Sequence, residues 1–204
     1  MLLIKSKFKI AKRLGAGIFE KTQSQKFALS EARSAPKKTR GRGGGSDYGR
    51  QLLEKQRVRF TYGLSEKQLS NYAKTAYTKA DPTTQLHRSL EMRADSAVYR
   101  AGFSLTRRAA RQAVSHGHIT INGKRTTTPS HHLRVGDVIS IREGSRTSPL
   151  FAGLLEHAAE NQRAIPQWLN VDLPLLKAEV VGEPTYDVVT AGLDYSTVFE
   201  FYSR

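Results

Sequence analysis

The chain has no cysteine. That excludes disulfides and thiolate metal sites. It has one tryptophan and two methionines, and only 38% of its 204 residues are apolar, so the core is modest for the length. No apolar run approaches the roughly 18 residues that a membrane span needs. Leu2, Leu3 and Ile4 are too short a run for a signal-peptide core. Carboxylates are scarce as well. Against 33 Lys and Arg there are 18 Asp and Glu, giving a net charge of +15 and an isoelectric point near 10.2. The imbalance is uneven: +12 over residues 1–62, +8 over 63–147 and −5 over 148–204. Paired carboxylates are scarce in the basic part, which argues against acid–base catalysis there. A chain this basic with a cationic front is expected to meet a polyanion, nucleic acid first.

What is present concentrates in residues 104–125, SLTRRAARQAVSHGHITINGKR. Ser104 suits a helix N-cap. At 100° per residue Leu105, Ala109 and Ala113 share one side of the following helix, with Arg107, Arg108 and Arg111 opposite. Ile119 and Ile121 then alternate with polar neighbours as in a half-buried strand. Asn122-Gly123 is a type I′ hairpin signal, followed by Lys124 and Arg125. His116 fits a helix C-terminus, where an imidazolium suits the dipole. His118 falls beside the arginine face. With no cysteine and no carboxylate at ligand spacing near His116, His118, His131 or His132, neither a metal nor any other cofactor is expected.

Residues 1–30 mix single apolar residues with lysines and read as short helical turns tied to a partner. Residues 33–46 (RSAPKKTRGRGGGS) are a basic, Gly-rich linker or arm. No strand precedes the glycines and no GK[ST] follows them, so they are not a phosphate loop. A helix starts at Ser46 or Asp47 and stops at Gly63. Its cations alternate with aromatics (Tyr48, Arg50, Lys55, Arg57, Arg59, Phe60, Tyr62), a pattern suited to stacking on splayed bases and pairing with phosphates. Ser65 and Gln68 form a capping box, and Leu69, Tyr72, Ala73 and Ala76 keep helical spacing. Asp81-Pro82 breaks that helix, and two short helices follow. Residues 138–142 (VISIR) read as a strand. Ser148-Pro149 opens a helix with Phe151, Leu154, Leu155 and Ala158 on its buried stripe. Beyond it come short strands or turns at Val180-Val181, Val188-Val189 and residues 198–201.

Arg93-Ala94-Asp95, then Val98-Tyr99-Arg100-Ala101-Gly102-Phe103, TRRAARQAVSHGHITINGK and VGDVISIRE together resemble the S-four RNA-binding module. The flanks SDYGRQLLEKQRVRFTYGLSEKQLSNY, PQWLNVD, STVFEFYSR and FKIAKRLGAGIF resemble the small-subunit ribosomal protein S-four family, over nearly the whole chain. The match at the front argues against an organelle transit peptide. The resemblance implies an α+β fold: a mostly helical domain built from both chain ends, an inserted module of two helices and a small twisted sheet, and a basic, partly extended N-terminal arm. The boundaries so expected are 1–45 for the arm, 46–91 with 158–204 for the helical domain, and 92–157 for the module. It implies a structural rRNA-binding protein of the cytoplasmic ribosome that nucleates assembly of the subunit body. Such a protein sits near the point where mRNA enters, contributes to translational accuracy and lies beside ribosomal proteins S-five and S-twelve. No membrane or small-molecule substrate is implied. Many members carry a four-cysteine zinc knuckle that this chain lacks, so it resembles a zinc-free variant whose arm is ordered by RNA. RGRGGGS also replaces the Pro/Gly/His-containing loop frequent in relatives.

Residues and resemblance together give a set expected against rRNA. In the arm and first turns it comprises Lys5, Lys7, Lys9, Lys12, Arg13, Lys37, Lys38, Arg40 and Arg42. In the next helix it comprises Tyr48, Arg50, Lys55, Arg57, Arg59 and Tyr62. In the module it comprises Arg93, Arg100, Arg107, Arg108, Arg111, His116, His118, Asn122, Lys124 and Arg125. An enzyme reading rests on Gly192-Leu193-Asp194 and Thr197, a partial echo of the pseudouridine synthase aspartate motif. It lacks the flanking Arg and Gly, and the chain is expected not to be an enzyme.

Overall fold

The computed structural model describes residues 4, 6–33, 46–152, 154 and 164–203. The helices are α1 (Lys7–Leu14), α2 (Gln25–Ala32), α3 (Asp47–Thr61), α4 (Glu66–Tyr77), α5 (Pro82–Glu91), α6 (Ala94–Arg100), α7 (Arg107–Ser115), α8 (Pro149–Ala152), α9 (Val188–Ala191) and α10 (Tyr195–Tyr202). The strands are β1 (Ile119–Ile121), β2 (Lys124–Thr126), β3 (Val138–Ile141), β4 (Leu169–Asp172) and β5 (Lys177–Val180). Two compact units divide the chain. The first comprises Met1–Leu86 with Tyr186–Arg204, and the second His87–Thr185.

In the first unit, α3 packs against α10. Val58, Leu64, Leu69, Ala73 and Ala76 are buried there, as are Leu193, Tyr195, Val198 and Phe199. Ser46 caps α3 by accepting from the Gly49 amide at 3.2 Å. The Ser65–Gln68 capping box closes in both directions, at 3.1 and 3.2 Å. Residues 188–191 and 198–201 were expected as strands or turns, and both are helical. Side-chain caps decide this. Asp187 accepts from the Val189 and Thr190 amides, and Asp194 from those of Ser196 and Thr197. A good cap together with a face to bury overrides the strand preference of Val and Phe. The N-terminal turns also differ from expectation, because they have a small core of their own. Ala11, Phe19 and Phe27 are buried with Phe8 and Phe60 against them, and the Phe8 and Phe27 rings meet edge-on at 5.3 Å.

The second unit holds α6, α7 and an antiparallel five-stranded sheet in the order β2-β1-β3-β5-β4. Asn122 and Gly123 turn the β1–β2 hairpin with φ of 51° and 76°, the left-handed pair of a type I′ turn. Residues 158–204 were grouped with the helical domain. Here β5 bonds to β3 and β4 to β5, so residues 169–180 complete the sheet and the division falls after Thr185. Two local expectations shift. The cap of α7 is Thr106, accepting from the Ala109 amide at 3.1 Å, while Ser104 lies two residues earlier and is buried. The buried face of α7 is Ala110, Ala113 and Val114, whereas Leu105 and Ala109 are exposed. Leu105 precedes the helix, so it does not mark the helix's buried side, which Ala110, Ala113 and Val114 set. Of the stripe expected after Ser148, Phe151 and Leu154 are buried, and Leu155 and Ala158 lie outside the described residues.

Candidate nucleic-acid interface

Much of the arginine of the second unit turns inward. Arg93 is 1% exposed and donates to both Asp95 oxygens, at 2.9 and 2.7 Å. Glu91, equally buried, accepts from Arg100 at 2.7 and 2.9 Å and from Arg107 at 3.1 Å. Arg107 also lies over the Tyr99 ring at 4.6 Å and donates to Ser96. Arg111 approaches Asp95 at 3.8 Å. A buried carboxylate needs such partners, because removal from water costs several kcal/mol per ion. The three-arginine face expected on α7 is therefore reassigned. Arg107 and Arg111 bind the carboxylates that α5 and α6 bury, and Arg93 and Arg100 complete the same two clusters. Arg108 is exposed and makes no ion pair or hydrogen bond among the described residues.

Beyond α7 the cations face outward. Lys124 and Arg125 are exposed on the hairpin. Arg125 folds back to donate to the His116 carbonyl at 3.1 Å and occupies the space that a Cβ on Gly117 would need. Gly117 also has φ of 72°, the left-handed backbone that favours glycine, whereas the Arg125 side chain is free to swing aside. His116 is exposed. The half-buried His118 shares a hydrogen bond between Nδ1 and the Ser145 hydroxyl at 3.0 Å. Burial lowers its pKa below the ordinary histidine value, and the charges of His116, Arg142 and Arg125 lower it further. A neutral His118 with guanidiniums around it keeps one ring nitrogen as an acceptor and the other as a donor.

Asn122 has a structural job. Its Nδ2 donates to Asp137 and its Oδ1 accepts from the Val138 amide, both at 2.8 Å, pinning the hairpin to β3. Sequence reasoning missed Arg134 and Arg142, which are exposed, and the half-buried Arg146. Their signal was one arginine before the VISIR strand, one at its end and one beyond it.

In the first unit, α3 is less available than its sequence suggests. Lys55 is buried, 2.9 Å from Glu66 and 4.2 Å from the Phe201 ring centre. Tyr62 is buried with its hydroxyl 3.3 Å from that of Tyr195. Arg57 pairs with Glu54 at 2.8 Å and donates to the Gly192 carbonyl. Arg59 donates to Gln56 and to the Leu64 carbonyl. Burial pushes the Glu66 carboxyl up, but hydrogen bonds from Lys55 and Tyr202 and the Lys55 and Arg59 charges outweigh it, so its pKa is lowered. Lys55, Arg57, Arg59 and Tyr62 thus hold α3, α4 and the C-terminal helices together. Tyr48 keeps half its surface exposed against Phe201, and Arg50 is exposed in a pair with Asp47. On α1, Lys9 and Arg13 are exposed, Lys12 donates to the Ser30 carbonyl at 2.7 Å, and Lys7 lies 5.7 Å from the Phe19 ring centre. Lys5, Lys37, Lys38, Arg40 and Arg42 lie outside the described residues.

Asp194, the aspartate of the partial pseudouridine-synthase echo, is engaged as a helix cap. Its Oδ1 accepts from the Ser196 and Thr197 amides and its Oδ2 from the Thr197 hydroxyl, while its own amide donates to Glu54. The motif that echoed an enzyme is a helix cap.

Residues 92–139 match the family model described as S4 domain, and residues 3–91 the one described as Ribosomal protein S4/S9 N-terminal domain. Together with the helix–hairpin face, they place the chain in the class of S-four-module proteins. Proteins named small ribosomal subunit protein uS4 align along nearly its full length. That of Roseiflexus sp. (strain RS-1) is 39% identical over 199 residues, covering 96% of each chain. That of Chloroflexus aurantiacus (strain ATCC 29366 / DSM 635 / J-10-fl) is 38% identical over 201, again covering 96% of each. That of Borrelia recurrentis (strain A1) is 37% identical over 203, covering 98% of this chain and 96% of the relative. The chain belongs to the small ribosomal subunit protein uS4 family.

Proposed function

We propose that this chain is a structural, non-catalytic constituent of the small ribosomal subunit and binds the subunit's rRNA directly in the cytoplasm. Its relatedness to small-subunit proteins over nearly the whole length carries the reading. The outward cations of the second unit supply the chemistry. Arg108, Lys124, Arg125 and Arg142 take phosphates, releasing counterions, and His116 and His118 add donors beside them. Lys9 and Arg13 of α1, with Arg50 and the half-exposed Tyr48 ring, make a second set of contacts, and the basic segment 33–46 adds to it. Arg93, Arg100, Arg107, Arg111, Lys55 and Tyr62 act by shaping these surfaces. The second unit is the RNA-docking module.

As a protein that binds rRNA without help, it joins the subunit early and nucleates assembly of the body. It lies near the point where mRNA enters, contributes to translational accuracy and has S-five and S-twelve as neighbours. The test is binding of the purified chain to a small-subunit rRNA transcript free of other proteins, followed by sedimentation of tagged chain from cells. The expected result is autonomous binding and a tag that stays with small subunits through a high-salt wash. Recovery only in free or large-subunit fractions overturns the reading.

A further inference from the structure

A cavity of about 290 Å³ in the second unit is not accounted for by phosphate binding. Much of its lining is apolar: Ala109 and Ala113, on successive turns of α7, with Phe151 and Leu154. The i, i+4 spacing of the two alanines puts two methyls in a row and leaves a shallow, flat strip. Leu105 and Leu150, 47% and 65% exposed, also line it. Gln112, His116 and His118 supply the polar edge. The His118 ring meets Phe151 edge-on at 5.9 Å; Arg125 donates to the carbonyl of the lining residue His116 at 3.1 Å, and Arg142 Nε lies 3.4 Å from the Ser145 hydroxyl that bonds His118 Nδ1.

These parts fit one kind of occupant. An apolar lining beside the Phe151 and His118 rings suits a planar heterocycle, since every base has a π-face to stack. The Gln112 carboxamide carries an acceptor beside two donors, the arrangement that pairs with a base edge. The guanidiniums beside His118 suit the phosphates on either side of that base. An apolar side chain from a neighbouring protein would use the apolar lining but leave this cationic edge without a complement. We propose that the cavity receives a single unstacked nucleobase of the small-subunit rRNA, bound over Ala109 and Ala113, read along its edge by Gln112, with flanking phosphates on Arg125 and Arg142. The proposal rests on the rRNA-binding reading and adds a base-specific contact to it.

The test uses the full chain and two single-stranded RNA pentamers with identical phosphates, one carrying 2-aminopurine at its centre and the other an abasic centre. The wild-type chain binds the base-containing pentamer about tenfold more tightly, equal to about 1.4 kcal/mol, with a change in 2-aminopurine fluorescence. Ala109→Phe fills the cavity and brings the ratio to about one. Gln112→Ala, at an exposed position whose loss leaves folding intact, lowers the ratio to a few-fold. Equal wild-type affinities for the two pentamers, with binding to a full small-subunit rRNA transcript retained, overturn the base site alone. Loss of binding to the transcript by the wild-type chain overturns the rRNA reading instead. An Ala109→Phe chain that keeps the tenfold ratio, yet loses a crosslink from α7 to another protein in assembled subunits, assigns the cavity to a protein side chain and also overturns the proposal.

Discussion

Glu91 holds two guanidiniums at once from a position with 1% of its side chain exposed. Replacing it with alanine leaves Arg100 and Arg107 facing a vacated site. Breaking a buried pair by removing one partner costs about 3–5 kcal/mol. Arg100 keeps 32% of its side chain exposed and Arg107 16%, so both regain some water and the lower end, about 3 kcal/mol, applies. With a urea dependence of about 2 kcal/mol per molar, the midpoint falls by about 1.5 M. Trp168 is the chain's one tryptophan and is buried in the second unit, so its emission reports that unit alone. Glu91→Gln keeps the shape and part of the hydrogen bonding, and should fall between. A midpoint shift under about 0.3 M for Glu91→Ala would refute the reasoning, because Arg107 would then not depend on the carboxylate and its assignment to the fold would fail.

Arg108→Ala combined with Lys124→Ala should lower the magnitude of the salt slope for rRNA binding by about 1–2, roughly one per phosphate contact, and leave the Trp168 transition unmoved. A shifted transition would mark these two as structural. Thr106→Ala removes the cap of α7 and should cost about 1 kcal/mol, or about 0.5 M in the urea midpoint, whereas Ser104→Gly should not change helix content. His87 is buried, and burial first, then the Arg100 and Arg107 charges, lower its pKa against an opposing pull from Glu91. With the folded value below the unfolded one, the unfolded chain binds more protons. The second unit should therefore lose stability as pH falls through and below about 6.5, and His87→Leu should flatten that loss. Equal urea midpoints at pH 7 and pH 5 in the wild-type chain would contradict this.

Local signals were legible. The Ser65–Gln68 box, the Asn122-Gly123 turn and the VISIR strand each need only neighbours in sequence, and each stands where the pattern placed it. The family-like motifs pointed to the S-four class for the same reason. Side-chain allegiance was much less legible. Nothing near Arg107 in sequence says that Glu91, sixteen residues away, takes its guanidinium. Lys55 and Tyr62 looked like partners for RNA because their true partners, Glu66, Phe201 and Tyr195, arrive through folding. The valines near the C-terminus read as strand because Asp187 and Asp194 were not recognised as caps. Three cations on one helix face gave no hint of which the fold would bind inward; burial of Glu91 and Asp95 decides it.

The most direct measurement is the salt dependence of binding between the full chain and a small-subunit rRNA transcript, taken across several monovalent salt concentrations. If about eight phosphates are neutralised, the logarithm of the binding constant should fall against the logarithm of salt with a slope of about −6 to −7. A slope near zero, or equal affinity for an unrelated RNA of the same length at every salt concentration, would contradict the claim that this chain docks on folded small-subunit rRNA through its outward cations.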